Sequence, residues 1–283
     1  MAILKGLSPR MAEVGKIKIG GKGQELTSKT GTKYRQPVRF DHFVVTTTER
    51  DVNGDFKIDQ ELMAKLGKDP RELKIRLPFD SIDIVFFTEY QRYTGNKKVC
   101  SGNGIKATTE GRTVDCNPDT CDFFKNNKCK VTGILSCFLE ESKTLGAVHK
   151  FRTHSYNAVA SILASLDFIA NRTNGILMGL PLKLVMVKKT TAEHGTIDFV
   201  TIVIDGEGMD AMRDAAMHEI QARKLLNVDI EKIESAAIAS GIVNDNDNPQ
   251  DIQEEFYPEP VTVRPLAERI IKRNAPPDLF EDK

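Results

Sequence analysis

The chain has 283 residues, of which 40% are hydrophobic and 28% are charged, and its 40 Lys or Arg balance 40 Asp or Glu. This length holds one large domain or two modest ones, and the composition is ordinary for a soluble globular protein. No apolar run reaches the length of a membrane span, because Asp167 and Lys183 interrupt the best candidates. We therefore expect a chain with no membrane partner.

The first segment of the chain is basic. Residues 1–39 contain nine Lys or Arg against two Glu, a local balance of +7. Such a segment can face phosphates or an acidic partner, or it can simply keep an exposed arm solvated. Gly20, Gly21 and Gly23 lie near Lys22, but the spacing of a phosphate-binding loop is absent and no Ser or Thr follows the lysine. We expect a flexible hairpin here.

Segments rich in β-branched and aromatic residues dominate the first two hundred positions. They predict strands over residues 38–47, 81–87, 133–139, 148–153, 182–188 and 196–204. A short helix is predicted over residues 59–66, closed by Gly67 in the manner of a helix C-terminus. The fold class that we predict is α+β, with an antiparallel-sheet core.

Four cysteines are crowded into residues 95–130, a stretch that is rich in turn-forming residues and poor in apolar periodicity. They are Cys100, Cys116, Cys121 and Cys129. Such a stretch has too little apolar surface to be ordered by burial alone, whereas a shared metal ion would order it, and we predict a structural zinc loop. The gaps between the cysteines do not match familiar zinc modules, so disulfides and free thiols remain alternatives. An all-cysteine site leaves no open position for water and does not catalyse.

Two further observations bear on these alternatives. The start MAILKGLSPR lacks the long apolar segment of a secretory signal, so we expect a reducing cytoplasm rather than a disulfide-forming compartment. Cys137 lies inside an apolar predicted strand, where a buried small side chain is the natural interpretation, and we exclude it from the metal ligands.

The remaining residue types give no sign of catalysis. The histidines lack a metalloprotease spacing, and Ser155 has no strained glycine elbow around it. His154 closes a predicted strand and is interpreted as a hydrogen-bonded structural residue. We predict no catalytic residues and no small-molecule substrate. A zinc hydrolase or nuclease would need a ligand set with an open position, which this sequence does not supply.

Helices are predicted on either side of the last two strands. Apolar residues recur at three- and four-residue intervals over residues 155–171, and Ser155 or Asn157 can cap this helix. Met212, Ala216, Ile220 and Leu225 indicate another helix, and residues 230–239 a further one. We divide the chain into a β-rich core at 1–205, a helical appendage at 206–242 and an acidic, disordered tail at 243–283.

Five segments follow one another in a distinctive order. They are a basic glycine-rich start, LPFDSIDIVF, TEYQRYTGNKKVCSGNG, the cysteine loop and HKFRTHSYNAVASI. This order resembles that of phage recombination directionality factors, the accessory proteins of large serine integrases, from about Lys5 to Lys189. The resemblance implies a protein without catalytic chemistry in the cytoplasm of a bacterial host. Such a protein binds a serine integrase on DNA and favours prophage excision over integration.

On this resemblance, the zinc loop fixes the geometry of a docking surface. Candidate partner or DNA-binding residues are Tyr90, Arg92, Tyr93, Lys97, Lys98, Phe123 and Phe124. Aromatic residues and Arg concentrate interface energy, although ordinary packing explains each of them singly. The segment TEYQRYTGNKK also interleaves tyrosines with cations, as a base-stacking surface would. A zinc-containing phage single-stranded DNA-binding or annealing accessory protein is therefore the alternative function.

Overall fold

The computed structural model describes residues 11–27, 31, 33–52, 54–94, 97–126, 128–191 and 195–240. Strands are the commonest element. In chain order they are β1 (Ala12–Thr27), β2 (Lys33–Arg50), β3 (Phe56–Ile58), β4 (Glu72–Arg76), β5 (Phe86–Thr94), β6 (Lys97–Gly102), β7 (Lys106–Thr109), β8 (Arg112–Asp115), β9 (Cys129–Leu139), β10 (Ala147–Thr153), β11 (Leu182–Thr191) and β12 (Gly195–Ile204).

Helices are fewer and, apart from three, short. They are α1 (Gln60–Leu66), α2 (Ile82–Val85), α3 (Asp122–Lys125), α4 (Tyr156–Arg172), α5 (Gly208–Leu226) and α6 (Ile230–Ser240). The fold is therefore mixed α+β with a large, mostly antiparallel sheet. None of the helices in the described part of the chain is long and apolar enough to cross a membrane.

Nine strands form one continuous path in the order β3-β2-β1-β10-β9-β5-β6-β7-β8. The far end of β9 also pairs with β4, which pairs with β11, and β11 pairs with β12. All these pairs are antiparallel except β1 with β10, which runs parallel from Ala12 opposite Ala147 to Ile17 opposite Phe151. The glycine-rich start lies within the strands of the β1–β2 ribbon, and residues 28–30 and 32, between these strands in the sequence, lie outside the described residues.

Most of the predicted strands are confirmed, and one is wrong. Residues 38–47 belong to β2, and the other confirmed segments belong to β9, β10, β11 and β12. Residues 81–87, in contrast, form the helical turn α2 followed by the first residues of β5. The apolar run Ile82–Val85 suits either conformation, and contacts from far along the chain decide it. Glu234 accepts hydrogen bonds from the backbone N–H groups of Asp80 and Ser81, at 2.7 and 2.8 Å.

The predicted helices are confirmed with their caps. Asp59 accepts a hydrogen bond from Leu62 N at 2.9 Å at the start of α1, and Gly67 closes that helix with φ of 86°. At the start of α4, Ser155 Oγ accepts from Ala158 N at 3.3 Å. The helices α5 and α6 follow β12, where a helical segment was predicted. The predicted tail at 243–283 lies outside the described residues.

Helix α4 packs its apolar stripe on the sheet. Ile162 and Leu166 are fully buried, together with Phe86 and Leu135 on the strands beneath them. A Cβ atom at Gly133 would lie only 2.7 Å from the Phe86 ring and 2.9 Å from the Val159 side chain. The absence of a side chain at this position of β9 therefore allows the N-terminal half of α4 to approach the sheet closely.

An ion-pair cluster fastens α5 and α6 to the core. Arg223 of α5 donates to both carboxylate oxygens of Asp80, at 2.6 and 2.9 Å. Asp80 Oδ1 also accepts from the backbone N–H groups of Leu177 and Met178, at 2.8 and 2.7 Å. The Asp80 and Arg223 side chains are about 85% buried, with exposed fractions of 15% and 14%. Glu234 of α6 completes the cluster through its bonds to residues 80 and 81.

Candidate functional site

The four clustered cysteines belong to one projection of the sheet, which we call the cysteine lobe and define as residues 97–129. It contains the meander β6–β7–β8 and the single helical turn α3, followed by the first residue of β9. Regular structure is therefore more extensive than the turn-rich sequence indicates. Ala107 is the one buried residue among the described residues of the lobe. The lobe thus contributes little to the hydrophobic core.

Strand pairing places two of the cysteines on either side of one arginine. Arg92 of β5 lies opposite Cys129 of β9 and opposite Cys100 of β6. Directly paired residues in antiparallel strands point to the same face of the sheet, so both thiols share the face of Arg92. A bulge produces this arrangement, because Tyr93 pairs with Lys98 and leaves Val99 as an extra residue. Without the bulge, Cys100 would point to the opposite face.

The other two cysteines lie at the ends of a tight turn. Cys116 N donates to Ile105 O at 2.9 Å, which ties the end of β8 to the turn before β7. Asn117 then organises the turn, since its side-chain oxygen accepts from Asp119 N and its carbonyl accepts from Cys121 N, both at 2.9 Å. Cys121 occupies the position immediately before α3. Cys116 and Cys121 both contribute to the raised pKa of Cys100 and of Cys129, so the turn lies near those two residues.

The four thiols are close enough to affect one another electrostatically. Burial raises the pKa of Cys129 to about 11, and Cys100, Cys121 and Cys116 add to that increase. Burial likewise raises the pKa of Cys100, Arg92 opposes this, and the neighbouring thiols add to it. All four cysteines are free and partly buried. In the part of the chain that the structure describes, no group of three or more potential ligands is arranged to hold a metal ion.

Aromatic side chains surround the thiols on the same face. The Arg92 guanidinium lies 3.9 Å from the centre of the Phe123 ring, and the Tyr90 and Phe124 rings meet edge to face with centres 5.4 Å apart. Burial is the main cause that raises the pKa of Tyr90, followed by Tyr156 and Cys116. We call this set the aromatic face and define it as Tyr90, Arg92, Phe123, Phe124 and Tyr156.

A surface pocket adjoins the aromatic face where α4 begins. Its volume is about 240 Å³, and its lining includes Tyr90, Val131, Tyr156, Val159 and Leu163. Tyr156 is 66% exposed and Phe123 is 46% exposed, so two large rings stand in solvent near a mostly apolar depression. Such rings are typical anchors of protein–protein interfaces. The Tyr156 position was missed from the sequence as a site residue, because it lies outside the cysteine and tyrosine motifs.

The opposite face of β5 carries a different set of side chains. Tyr93 donates from its hydroxyl to Gln91 Oε1 at 3.3 Å, and Thr132 donates to the same oxygen at 3.1 Å. Gln91 in turn donates to Glu89, which also accepts from Lys98 Nζ at 3.1 Å. These groups form a hydrogen-bonded network at the base of the cysteine lobe. Tyr93 and Lys98 are therefore not part of the aromatic face.

The predicted site residues are thus divided between two faces. Tyr90, Arg92, Phe123 and Phe124 lie with the four thiols, whereas Tyr93 and Lys98 lie on the other face. Phe123 and Lys97 are exposed, and the remaining predicted anchors are partly buried. No partner is present in the structure, so the binding roles of these residues stay predictions.

The predictions for His154 and Cys137 are confirmed. His154 Nδ1 lies 3.0 Å from Val131 O and 2.9 Å from Thr132 Oγ1. A carbonyl can only accept, so Nδ1 carries the proton. Burial lowers the pKa of His154 to about 4, which leaves the ring neutral near pH 7. Cys137 is fully buried opposite His149, and burial raises the pKa of its thiol to about 12.

Parts of the basic N-terminal segment are neutralised within the chain. Lys16 is buried and lies 3.1 Å from Glu13. Arg35 pairs with Asp55 at 3.2 Å. Residues 1–10 lie outside the described residues. The β1–β2 ribbon is therefore less free to bind phosphates than its composition indicates.

Comparison with known proteins identifies a family for most of the chain. The model of the Gp3-like family, described as recombination directionality factor-like, matches residues 14–207. The match covers the sheet, the cysteine lobe and α4, and it ends immediately before α5. No curated protein and no solved structure matches the chain.

Proposed function

Because this chain belongs to the family of recombination directionality factor-like proteins, we propose that it is a non-catalytic accessory factor that binds a serine integrase on DNA and favours prophage excision. The family match is the observation that carries this proposal. The factor acts in the bacterial cytoplasm, where the integrase and its DNA sites are found. DNA is contacted directly or through the integrase.

A factor of this kind works by differential binding. It changes the outcome of recombination only if it contacts one arrangement of integrase subunits better than another. To convert a 1:99 preference into 99:1, the difference in binding free energy must be about 5.5 kcal/mol. A flexible surface would lose part of that difference to the entropy of ordering. A rigid sheet with ordered side chains is suited to this task.

We assign the integrase contact to the aromatic face. Phe123 and Tyr156 are large, exposed rings, and a mostly apolar pocket of about 240 Å³ adjoins Tyr156. Arg92 lies against the Phe123 ring, and Tyr90 contacts the neighbouring Phe124 ring edge to face. Exposed aromatic residues around an apolar pocket provide the anchors on which interface energy concentrates.

The geometry gives less support to single-stranded DNA binding. That function requires Tyr90 and Tyr93 to form one stacking surface with Lys97 and Lys98 beside it. The two tyrosines instead lie on opposite faces of β5, and Lys98 is paired with Glu89 at 3.1 Å. A single strand of DNA cannot stack on both rings at once.

Our first prediction tests the aromatic face directly. Phe123→Ala and Tyr156→Ala should each weaken binding to the integrase–DNA complex about tenfold or more, because truncation of a central anchor costs about 2 kcal/mol. Binding is measured with purified integrase on its attachment-site DNA, and the ratio of excision to integration products is measured in the same mixtures. The affinity for the complex and the ratio of excision to integration should both fall in each variant.

Leu145→Ala is the matched control, since Leu145 is an apolar side chain that is 91% exposed in a loop away from the aromatic face. It should bind as the unmodified protein does. The proposed function would be wrong if the unmodified protein bound no serine integrase–DNA complex. If both aromatic variants bound the complex as tightly as the unmodified protein, the integrase would contact another surface.

A further inference from the structure

We propose that the cysteine lobe binds one Zn²⁺ ion through its four clustered thiols, Cys100, Cys116, Cys121 and Cys129. We further infer that Arg92 offsets the negative charge of this site. Cysteine is the ligand type that structural zinc sites prefer, and four cysteines complete a tetrahedral shell.

The arrangement of strands and turns supports a common site. Cys100 and Cys129 come from separate strands, and the pairing of both with Arg92 directs them to one face. Cys116 and Cys121 come from the turn that Asn117 organises. Cys116 and Cys121 both add to the raised pKa of Cys100 and of Cys129, which is consistent with the four side chains lying in one neighbourhood.

Arg92 provides an observation that is independent of the thiols. A divalent ion with four thiolates carries a net charge of about −2, which requires a nearby cation or hydrogen-bond donors when the site is partly buried. The Nε atom of Arg92 is buried and has no hydrogen-bond partner among the described residues. Buried donors are nearly always satisfied. Cys100 and Cys129 both lie opposite Arg92 across the strands, and a metal-bound thiolate at either position would give this donor an acceptor.

The lobe also buries little apolar surface of its own. Ala107 is its one buried residue among those described, and α3 is a single turn of four residues with no buried side chain. One turn of helix is unstable in water without tertiary contacts. Ligand bonds to a metal ion supply free energy of folding directly, and Cys121 lies at the residue before α3.

A cation is needed to draw four deprotonated sulfurs together, because thiolates repel one another. Binding of the ion displaces the thiol protons, so affinity should increase with pH.

The role of the ion in partner binding rests on the proposed function. Zinc at Cys121 would fix α3 and so hold Phe123 and Phe124 in the aromatic face. The metal itself is measured without any integrase, which keeps the two proposals separately testable.

Our second prediction is the metal content of the full chain. Elemental analysis and native mass spectrometry of protein purified under reducing conditions should find one zinc ion per chain. Cys116→Ser and Cys121→Ser should lose it, while Cys137→Ala, which removes a thiol from the core, should retain it. Replacement of zinc by Co²⁺ should give a thiolate-to-cobalt charge-transfer band, which reports sulfur ligation.

Two further measurements do not require a cysteine variant to fold. Chelation of the unmodified protein should make the four lobe thiols reactive to alkylation and leave Cys137 protected. Arg92→Gln should lower zinc affinity by about 10–100-fold, the usual effect of losing a supporting group. Lys97→Gln, which removes an exposed cation of the same lobe, should leave the affinity unchanged.

Several results would overturn the proposal. One is reduced protein that is folded and free of metal and does not take up zinc or cobalt. Another is intact mass showing disulfides between the lobe cysteines in the protein as it exists in the cell. Equal alkylation with and without chelator would also refute it. Normal affinity in Arg92→Gln would remove the role of Arg92 but leave the ligands in place.

Discussion

The cysteine lobe and the helices α5 and α6 both extend from the same sheet, but they are attached to it in different ways. Side chains of the helices themselves attach them to the core. Met212, Ala216 and Ala237 are buried, and Arg223 is hydrogen-bonded to Asp80. The lobe has one buried residue among those described and is joined to the sheet by backbone pairing and by partly exposed side chains such as Phe123 on Arg92. A projection without a core needs another source of order, and clustered thiols are one.

The cysteine lobe and the two helices also differ in whether the family model covers them. The match includes the lobe and ends at residue 207, so α5 and α6 lie beyond it. Their anchor, however, is within it, because Asp80 belongs to the segment before α2. The two projections can therefore be tested by changes at separate sites.

The third prediction breaks the attachment of the helices. Asp80→Ala should lower the free energy of unfolding by about 3–5 kcal/mol, because it leaves the Arg223 charge buried without its partner. It also removes the acceptor of two backbone N–H groups, at Leu177 and Met178. Urea unfolding measures the loss, and hydrogen exchange should show α5 opening before the sheet.

Asp83→Ala removes an exposed carboxylate three residues away and should change the free energy of unfolding little. A loss below about 1 kcal/mol in Asp80→Ala would show that apolar contacts alone hold α5 to the core.

The fourth prediction concerns the base of the lobe, where His154 bonds to Val131 and Thr132. The pKa of His154 is about 4 in the folded protein, below its ordinary value of 6.5, so the unfolded chain binds the proton more readily. This contribution to stability is fully present above pH 6.5 and is lost as the pH falls towards 4. Its size is about 3 kcal/mol, from about 1.4 kcal/mol per pKa unit.

Unfolding free energies measured between pH 7.5 and 4 should show this loss. Burial also lowers the pKa of His149, which adds a loss in the same direction. His154→Gln keeps a donor for Val131 O and should make the pH dependence less steep, whereas His218→Gln, on the exposed side of α5, should not. If the unfolding free energy of His154→Gln varied with pH as steeply as that of the unmodified protein, His154 would not be the source of the pH dependence.

The fifth prediction is confined to the lobe. A Cβ atom at Gly102 would lie 2.6 Å from Ala107 Cβ and 2.8 Å from Lys106 O, so Gly102→Ala must separate β6 from β7. The cost should be about 1–3 kcal/mol, as for other overpacked positions. Hydrogen exchange should accelerate in β6 and β7 and remain slow in α5. Thr108→Ala, which changes an exposed residue of β7, is the control. If Gly102→Ala also accelerated hydrogen exchange in α5, the lobe would be part of the core.

Local patterns in the sequence predict the elements that local interactions determine. Helix α4 has seventeen residues, a sustained apolar stripe and a capping Ser155, so the sequence alone predicts its position. Helix α2 could not, because its four residues are all compatible with a strand until Glu234 bonds to the backbone before it. The deciding contact comes from more than 150 residues away along the chain.

The candidate site was predictable in composition but not in arrangement. The four cysteines and the aromatic residues are evident from their crowding. The separation of Tyr90 from Tyr93 follows from strand alternation only once β5 is known to continue to Thr94. The bulge at Val99, which directs Cys100 to the face of Cys129, depends on pairing between strands and leaves no local signal.

The parallel pairing of β1 with β10 has a consequence for synthesis of the protein on the ribosome. Ala12 and its neighbour Ala147 are about 135 residues apart in the chain, so β1 emerges long before the strand that covers its edge. During that interval the β1–β2 ribbon presents unpaired backbone groups that can recruit other nascent chains. Lys and Arg outnumber Asp and Glu over residues 12–50, and this excess of positive charge disfavours pairing with a second copy of the ribbon before β10 is made.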